Sequence, residues 1–90
     1  MKAVRVVISG RVQGVWYRAW TEKEATARGL YGWVRNCSDG TVEAVFSGDD
    51  AQVDAMLKAC ETGPRLARVE TVVAEVCDAP EDGFVTRATV

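Results

Sequence analysis

Apolar residues recur along this chain with two different periods, and the order in which those periods follow one another restricts the fold most. Val4, Val6 and Ile8 alternate with Arg5 and Ser9, the period of a half-buried strand, although Val7 blurs its outer face. A helix is predicted from about Arg18 to Arg28, with Trp20 and Ala27 on its apolar side and Ala19 or Ala25 widening it. Gly29 is placed to stop that helix in the left-handed conformation. Tyr31–Arg35 and Thr41–Phe46 read as strands, and the Asp39-Gly40 turn between them predicts a hairpin. Val42, Ala44 and Phe46 share one face of the second strand; Thr41, Glu43 and Ser47 mark the other as wetter. Asp49 or Asp50 caps a second helix, in which Val53, Met56, Leu57 and Cys60 follow the i, i+3, i+4, i+7 pattern until Gly63-Pro64. Val69–Val76 is strand-like, and beyond a break at Asp78–Gly83 the segment Phe84–Val90 is expected to pair into the sheet.

The order is β-α-β-β-α-β plus a terminal strand. It predicts an α+β fold of the ferredoxin-like, split β-α-β type, an antiparallel sheet with both helices on one face. That architecture hosts unrelated functions, so function has to be sought in particular residues.

Ninety residues make one domain, 1–90, and the 48% hydrophobic content with three Trp supplies a core. No stretch approaches the roughly 20 apolar residues of a membrane span, and the N-terminus enters an alternating strand instead of a signal-peptide run. A cytoplasmic monomer without a membrane partner is the expectation. The net charge of -2, with acids and bases interspersed, argues against a nucleic-acid binder. Thr41–Phe46 also lacks the aromatic platform of an RNA-recognition module. Cys37, Cys60 and Cys77 form no CxxC pair and read as reduced thiols. Six residues beyond them stand Glu43, Leu66 and Gly83, which excludes the C-x5-R spacing of cysteine phosphatases. The chain has no histidine, so triads, histidine zinc sites and the usual neutral-pH base are absent.

One stretch carries chemistry: Gly10-Arg11-Val12-Gln13-Gly14-Val15-Trp16-Tyr17-Arg18, between the first strand and the first helix. Backbone N–H groups of Gln13, Gly14, Val15, Trp16, Tyr17 and Arg18 can converge on an anion there, aided by the helix dipole. Gly14 is suited to a positive φ or to close backbone approach. Arg18 offers a fork that matches phosphate oxygens, and a cation in the first helical turn opposes the dipole unless an anion is present. Asn36, near the end of its strand, offers a donor and an acceptor; taken alone, it also suits the turn beside Asp39-Gly40. Gln13 is expected to brace the loop through its side chain, and Trp16, Trp20 and Trp33 to pack. Arg11 and Arg35 read as solvated strand-end charges, and Asp39 and Glu43 as turn and surface residues.

That first stretch resembles the G-x-V-Q-G-V-x-[aromatic]-R signature of the small acylphosphatases. Gly29-Leu30-Tyr31-Gly32-Trp33-Val34-Arg35-Asn36-Cys37-Ser38-Asp39-Gly40-Thr41-Val42-Glu43 resembles their second signature, and Gly63-Pro64 with Ala67 and Val69 agrees as well. The resemblance covers nearly the whole chain. Tyr17 stands where Phe is commoner and Arg28 where an apolar residue is expected, departures that bear on packing. The resemblance implies hydrolysis of the carboxyl–phosphate bond of a small acyl phosphate, releasing inorganic phosphate without metal or cofactor. It maps the essential arginine onto Arg18 and the essential asparagine onto Asn36. The alternative is a non-catalytic phosphate- or carboxylate-binding domain of the same fold. Such a binder has use for the arginine but no need to position water.

Overall fold

A computed structural model describing residues 1–90 contains seven elements: β1 (Lys2–Arg11), α1 (Tyr17–Ala27), β2 (Tyr31–Asn36), β3 (Val42–Gly48), α2 (Asp50–Cys60), β4 (Arg68–Val76) and β5 (Phe84–Thr86). The strands form one sheet in the order β4-β1-β3-β2-β5. β1 lies antiparallel to β3 and β4, and β2 antiparallel to β3. The ferredoxin-like α+β class is as the sequence predicts. One feature differs: β5 pairs parallel to β2, with Gly32 opposite Phe84 and Val34 opposite Thr86, so the sheet is mixed rather than wholly antiparallel. The reason is directional. β4 runs against β1, the chain turns back after it, and the returning direction is the one that β2 already has. The ladder itself stops at Thr86, but Arg87 N–H still donates to Val34 O (2.8 Å) and Val90 N–H to Asn36 O (3.2 Å). The terminal segment therefore follows β2 to the end of the chain.

The alternating residues Val4, Val6, Ile8, Val42, Ala44, Phe46 and Val34 bury one sheet face against Val53, Met56 and Cys60 of α2 and Tyr17 and Ala25 of α1. At about 1.5–3 kcal/mol for each fully buried large side chain, this layer dominates the stability of the fold. α2 follows its sequence pattern. α1 does not: its buried stripe is Tyr17, Thr21 and Ala25, whereas Ala27 is exposed and Trp20 packs at the margin, 5.3 Å from the Tyr17 ring. A threonine can occupy that stripe because its hydroxyl donates to Tyr17 O at 2.8 Å, leaving no polar atom unpaired. The Tyr17 hydroxyl in turn donates to Cys60 O at 2.7 Å and joins the two helices.

The other sheet face also departs from expectation. β3 is buried along its whole length, and Glu43 is only 5% exposed. β3 is the central strand, so side chains from both neighbours close over it. Arg35 Nε donates to Glu43 Oε1 at 2.7 Å, Arg5 Nε donates to the other carboxylate oxygen, and Arg5 Nη1 reaches Glu75 at 3.1 Å. Arg35 is thus held, with its guanidinium 4.7 Å from the centre of the Trp33 ring. Burial alone would push the Glu43 carboxyl up, but hydrogen bonds from Arg35 and Arg5, with their charges, hold it below its ordinary value of 4.5. A depressed carboxyl stabilises the fold above its unfolded-state pKa, and this stabilisation disappears as pH falls through the lowered value.

Candidate active site

The residues Val12–Trp16 join β1 to α1, and their backbone alternates in hand. Gly14 (φ 72°) and Trp16 (φ 67°) are left-handed, whereas Gln13, Val15 and Tyr17 are not. Such alternation turns successive N–H groups towards a common point, the geometry of an anion nest. Trp16 is the chain's one non-glycine residue with positive φ, at a cost of about 1–2 kcal/mol. At Gly14 a Cβ would meet nothing within 4 Å, so the requirement there is the positive φ and not close approach within the protein. The first bond of the helix runs from Trp20 N–H to Trp16 O (3.0 Å), and no N–H from Gln13 to Ala19 donates to a backbone carbonyl. These donors are available to a ligand.

The loop is anchored on both sides. Val12, Val15 and Tyr17 are buried, and Gly63 backs the Tyr17 ring so closely that a Cβ there would lie 2.6 Å from Cε2. Gln13 Nε2 donates to Cys37 O and to Thr41 O, each at 2.8 Å. Its bracing role therefore extends to the turn that follows Asn36. Asp39 Oδ1 holds the same turn by accepting from Thr41 N–H (3.0 Å) and Thr41 Oγ1 (2.7 Å).

Arg18 from α1 and Asn36 from β2 meet in one cavity of about 440 Å³, together with Gln13, Gly14 and Trp16. Arg18 makes no ion pair, and neither its side chain nor that of Asn36 hydrogen-bonds within the protein. Both polar ends are therefore uncommitted. The Val15 and Tyr17 side chains belong to the core and do not line this cavity, so within it these two residues can offer a ligand only their N–H groups. Trp16, expected to pack, is instead 77% exposed. Its neighbours take the interior positions, and its left-handed backbone leaves the indole outside.

Two polar side chains of the lining escaped sequence reasoning. Glu22 shares the cavity and accepts a hydrogen bond from Thr86 Oγ1 at 2.9 Å. Its position four residues after Arg18, on the same helix face, was the available signal. Thr86 carried none, because the parallel pairing of β5 with β2 is what brings it there. No three His, Cys, Asp or Glu side chains converge anywhere in the fold, and no helix is long and apolar enough to cross a membrane.

Fold and loop together define a small α+β protein with a cavity at a strand–helix junction, beside backbone N–H groups that the fold leaves unused. The acylphosphatase family model matches residues 4–86. A protein named acylphosphatase from Rhodospirillum rubrum is 56% identical over 85 residues, covering 93% of each chain. Among solved structures, an acylphosphatase from Coxiella burnetii superposes with a TM-score of 0.92 at 33% identity, over 96% of this chain and 92% of that one. The acylphosphatase from Bacillus subtilis gives 0.91 at 30% identity, over 97% and 99%. The chain belongs to the acylphosphatase family.

Proposed function

We propose that the cavity hydrolyses the carboxyl–phosphate bond of a small acyl phosphate by in-line attack of water. Arg18 and the N–H groups of Gln13, Gly14, Val15, Trp16, Tyr17 and Arg18 grip the phosphoryl oxygens, and Asn36 orients the water. The observation that carries this reading is the meeting of Arg18 and Asn36, from different elements, beside a set of unused backbone donors.

An acyl phosphate is a mixed anhydride with a good carboxylate leaving group, so expelling it needs little acid catalysis. The barrier lies in bringing water against a charged phosphoryl group, which positioning and charge stabilisation lower. The water oxygen forms a bond to phosphorus while the bond from phosphorus to the bridging oxygen breaks. The carboxylate leaves with that electron pair, and the water proton passes to a phosphoryl oxygen of the substrate. Asn36 can accept from the water and donate to a phosphoryl oxygen without changing its own protonation. Arg18 follows the charge as it spreads in the transition state. The working unit is a single cytoplasmic chain, one domain over 1–90, requiring neither cofactor nor nucleic-acid partner; Arg18 and Asn36 come from the same chain, so a second copy is not needed to complete the site.

Benzoyl phosphate hydrolysis in excess chelator tests this reading. The wild type is expected to turn over, with Arg18→Ala and Asn36→Ala each losing roughly 10²-fold or more, the scale of a lost transition-state donor. After correction for substrate ionisation, the rate should stay flat between about pH 6 and 8, where a chain without histidine has no ordinary side-chain titration. An inactive wild type that phosphate still protects through Arg18 would leave a binding domain instead of an enzyme.

A further inference from the structure

A second hollow, of about 270 Å³, is lined by Val15, Trp16, Pro64, Arg65 and Leu66. Trp16 belongs to the walls of both hollows, so they adjoin across the loop. The surface here is apolar and open: the Trp16 side chain is 77% exposed and that of Leu66 59%. The exposed indole gains the fold little packing, while its backbone is held at φ 67° at a cost. Arg65, on the same wall, makes no ion pair. A fixed charge without a partner beside exposed apolar surface suits a ligand that has both an apolar body and an anionic end.

We propose that this second hollow receives the acyl half of the substrate and favours acyl groups whose flat or branched apolar body ends in an anion reaching Arg65. The inference rests on the reading of the first cavity as the phosphoryl site. An acyl phosphate consists of two halves joined through one bridging oxygen, and two hollows sharing the Trp16 wall match those halves. Size agrees as well. An apolar cavity of about 150 Å³ suffices for benzene, so a phenyl-sized body fits with room for a substituent. Trp16, Val15 and Leu66 offer apolar contact to that body, and Arg65 a charge-assisted bond to its far end.

The test compares kcat/KM for acetyl phosphate, benzoyl phosphate and 4-carboxybenzoyl phosphate in the wild type, Leu66→Ser and Arg65→Gln. Both residues are exposed and lie outside the phosphoryl site. Each substrate is compared with itself across variants, so differences in intrinsic reactivity cancel. Leu66→Ser is expected to leave acetyl phosphate unchanged and to lower both benzoyl substrates on the order of tenfold, as for a lost apolar contact. Arg65→Gln should lower 4-carboxybenzoyl phosphate roughly tenfold, the loss of one hydrogen bond to a charged group, and spare the other two. Uniform effects on all three substrates, or none, would overturn the inference while leaving the acylphosphatase reading intact. A wild type that hydrolyses none of them would overturn that reading, and this inference with it.

Discussion

The two helices have equal length and opposite beginnings. Each spans 11 residues. α2 follows Asp49 at φ -55°, carries Asp50 in its first turn and Lys58 in its last, and so matches charge to dipole at both ends. α1 follows a left-handed Trp16, has no acidic residue in its first turn and no basic one in its last. Arg18 occupies that first turn, where its charge opposes the dipole. Pairings of the kind found in α2 contribute typically 0.3–1 kcal/mol each, and α1 forgoes them. The difference shows what each helix is for. α2 carries charges of matching sign at both ends, although Asp49 at its N-cap makes no side-chain capping bond. On the proposed function, the negative charge that completes α1 is that of the anion held in the cavity.

The largest way to break this contrast is to supply that anion. Inorganic phosphate at about 100 times its Kd should stabilise the wild type against urea by about 2.7 kcal/mol. Arg18→Ala is expected to remove most of this increment, whereas Asp50→Ala at the other helix leaves it unchanged. An increment that survives Arg18→Ala would show that the anion binds elsewhere, and the contrast would fail.

A smaller effect concerns the strained entry to α1. Glycine adopts the Trp16 backbone conformation without penalty, and the exposed indole gives up little packing. Trp16→Gly should therefore raise stability by about 0.5–1 kcal/mol, the relieved strain less the added backbone freedom. Asp49→Gly relieves nothing at φ -55° and should cost a few tenths. Urea midpoints of the two variants moving in the same direction would mean that Trp16 contributes to the fold as an ordinary cap.

How far the sequence could be read follows the same division. β1, β2, β3 and α2 are legible because each carries a regular set of residues into the core, and β4, which has no fully buried residue, is legible from its β-branched run. Arg18 stood out as a residue type suited to phosphate, Asn36 was singled out by the resemblance of its segment to the second family signature, and the fold brings both to one cavity. The inner stripe of α1 was not legible, since burial of Thr21 depends on a hydroxyl bond to Tyr17 O that no hydropathy pattern contains. Nor was the burial of Glu43, which follows from the central place of β3 and from two arginines contributed by different strands. Parallel pairing of β5, and with it the place of Thr86, depends on which sheet edge the returning chain meets. For Glu43 and Thr86 the deciding partners lie on other strands, whereas for Thr21 the partner is four residues back and is a backbone carbonyl that hydropathy does not register.

The smallest expected effect is a matter of sign. At low salt and without phosphate, Asp50→Asn removes a favourable charge from the start of α2 and should cost about 0.5 kcal/mol. Arg18→Gln removes an unfavourable one from the start of α1. The gain there is expected to be only about 0.3 kcal/mol, because Glu22 one turn further on offsets part of the repulsion. Both effects should shrink as sodium chloride shortens the reach of the charges. Added phosphate makes the two positions diverge. The cost at Asp50 should persist, whereas the gain at Arg18 should turn into a loss once an anion sits against the guanidinium. Urea titrations of the four combinations read this out. A gain at Arg18→Gln that phosphate fails to reverse would mean that the arginine burdens the helix without holding the anion.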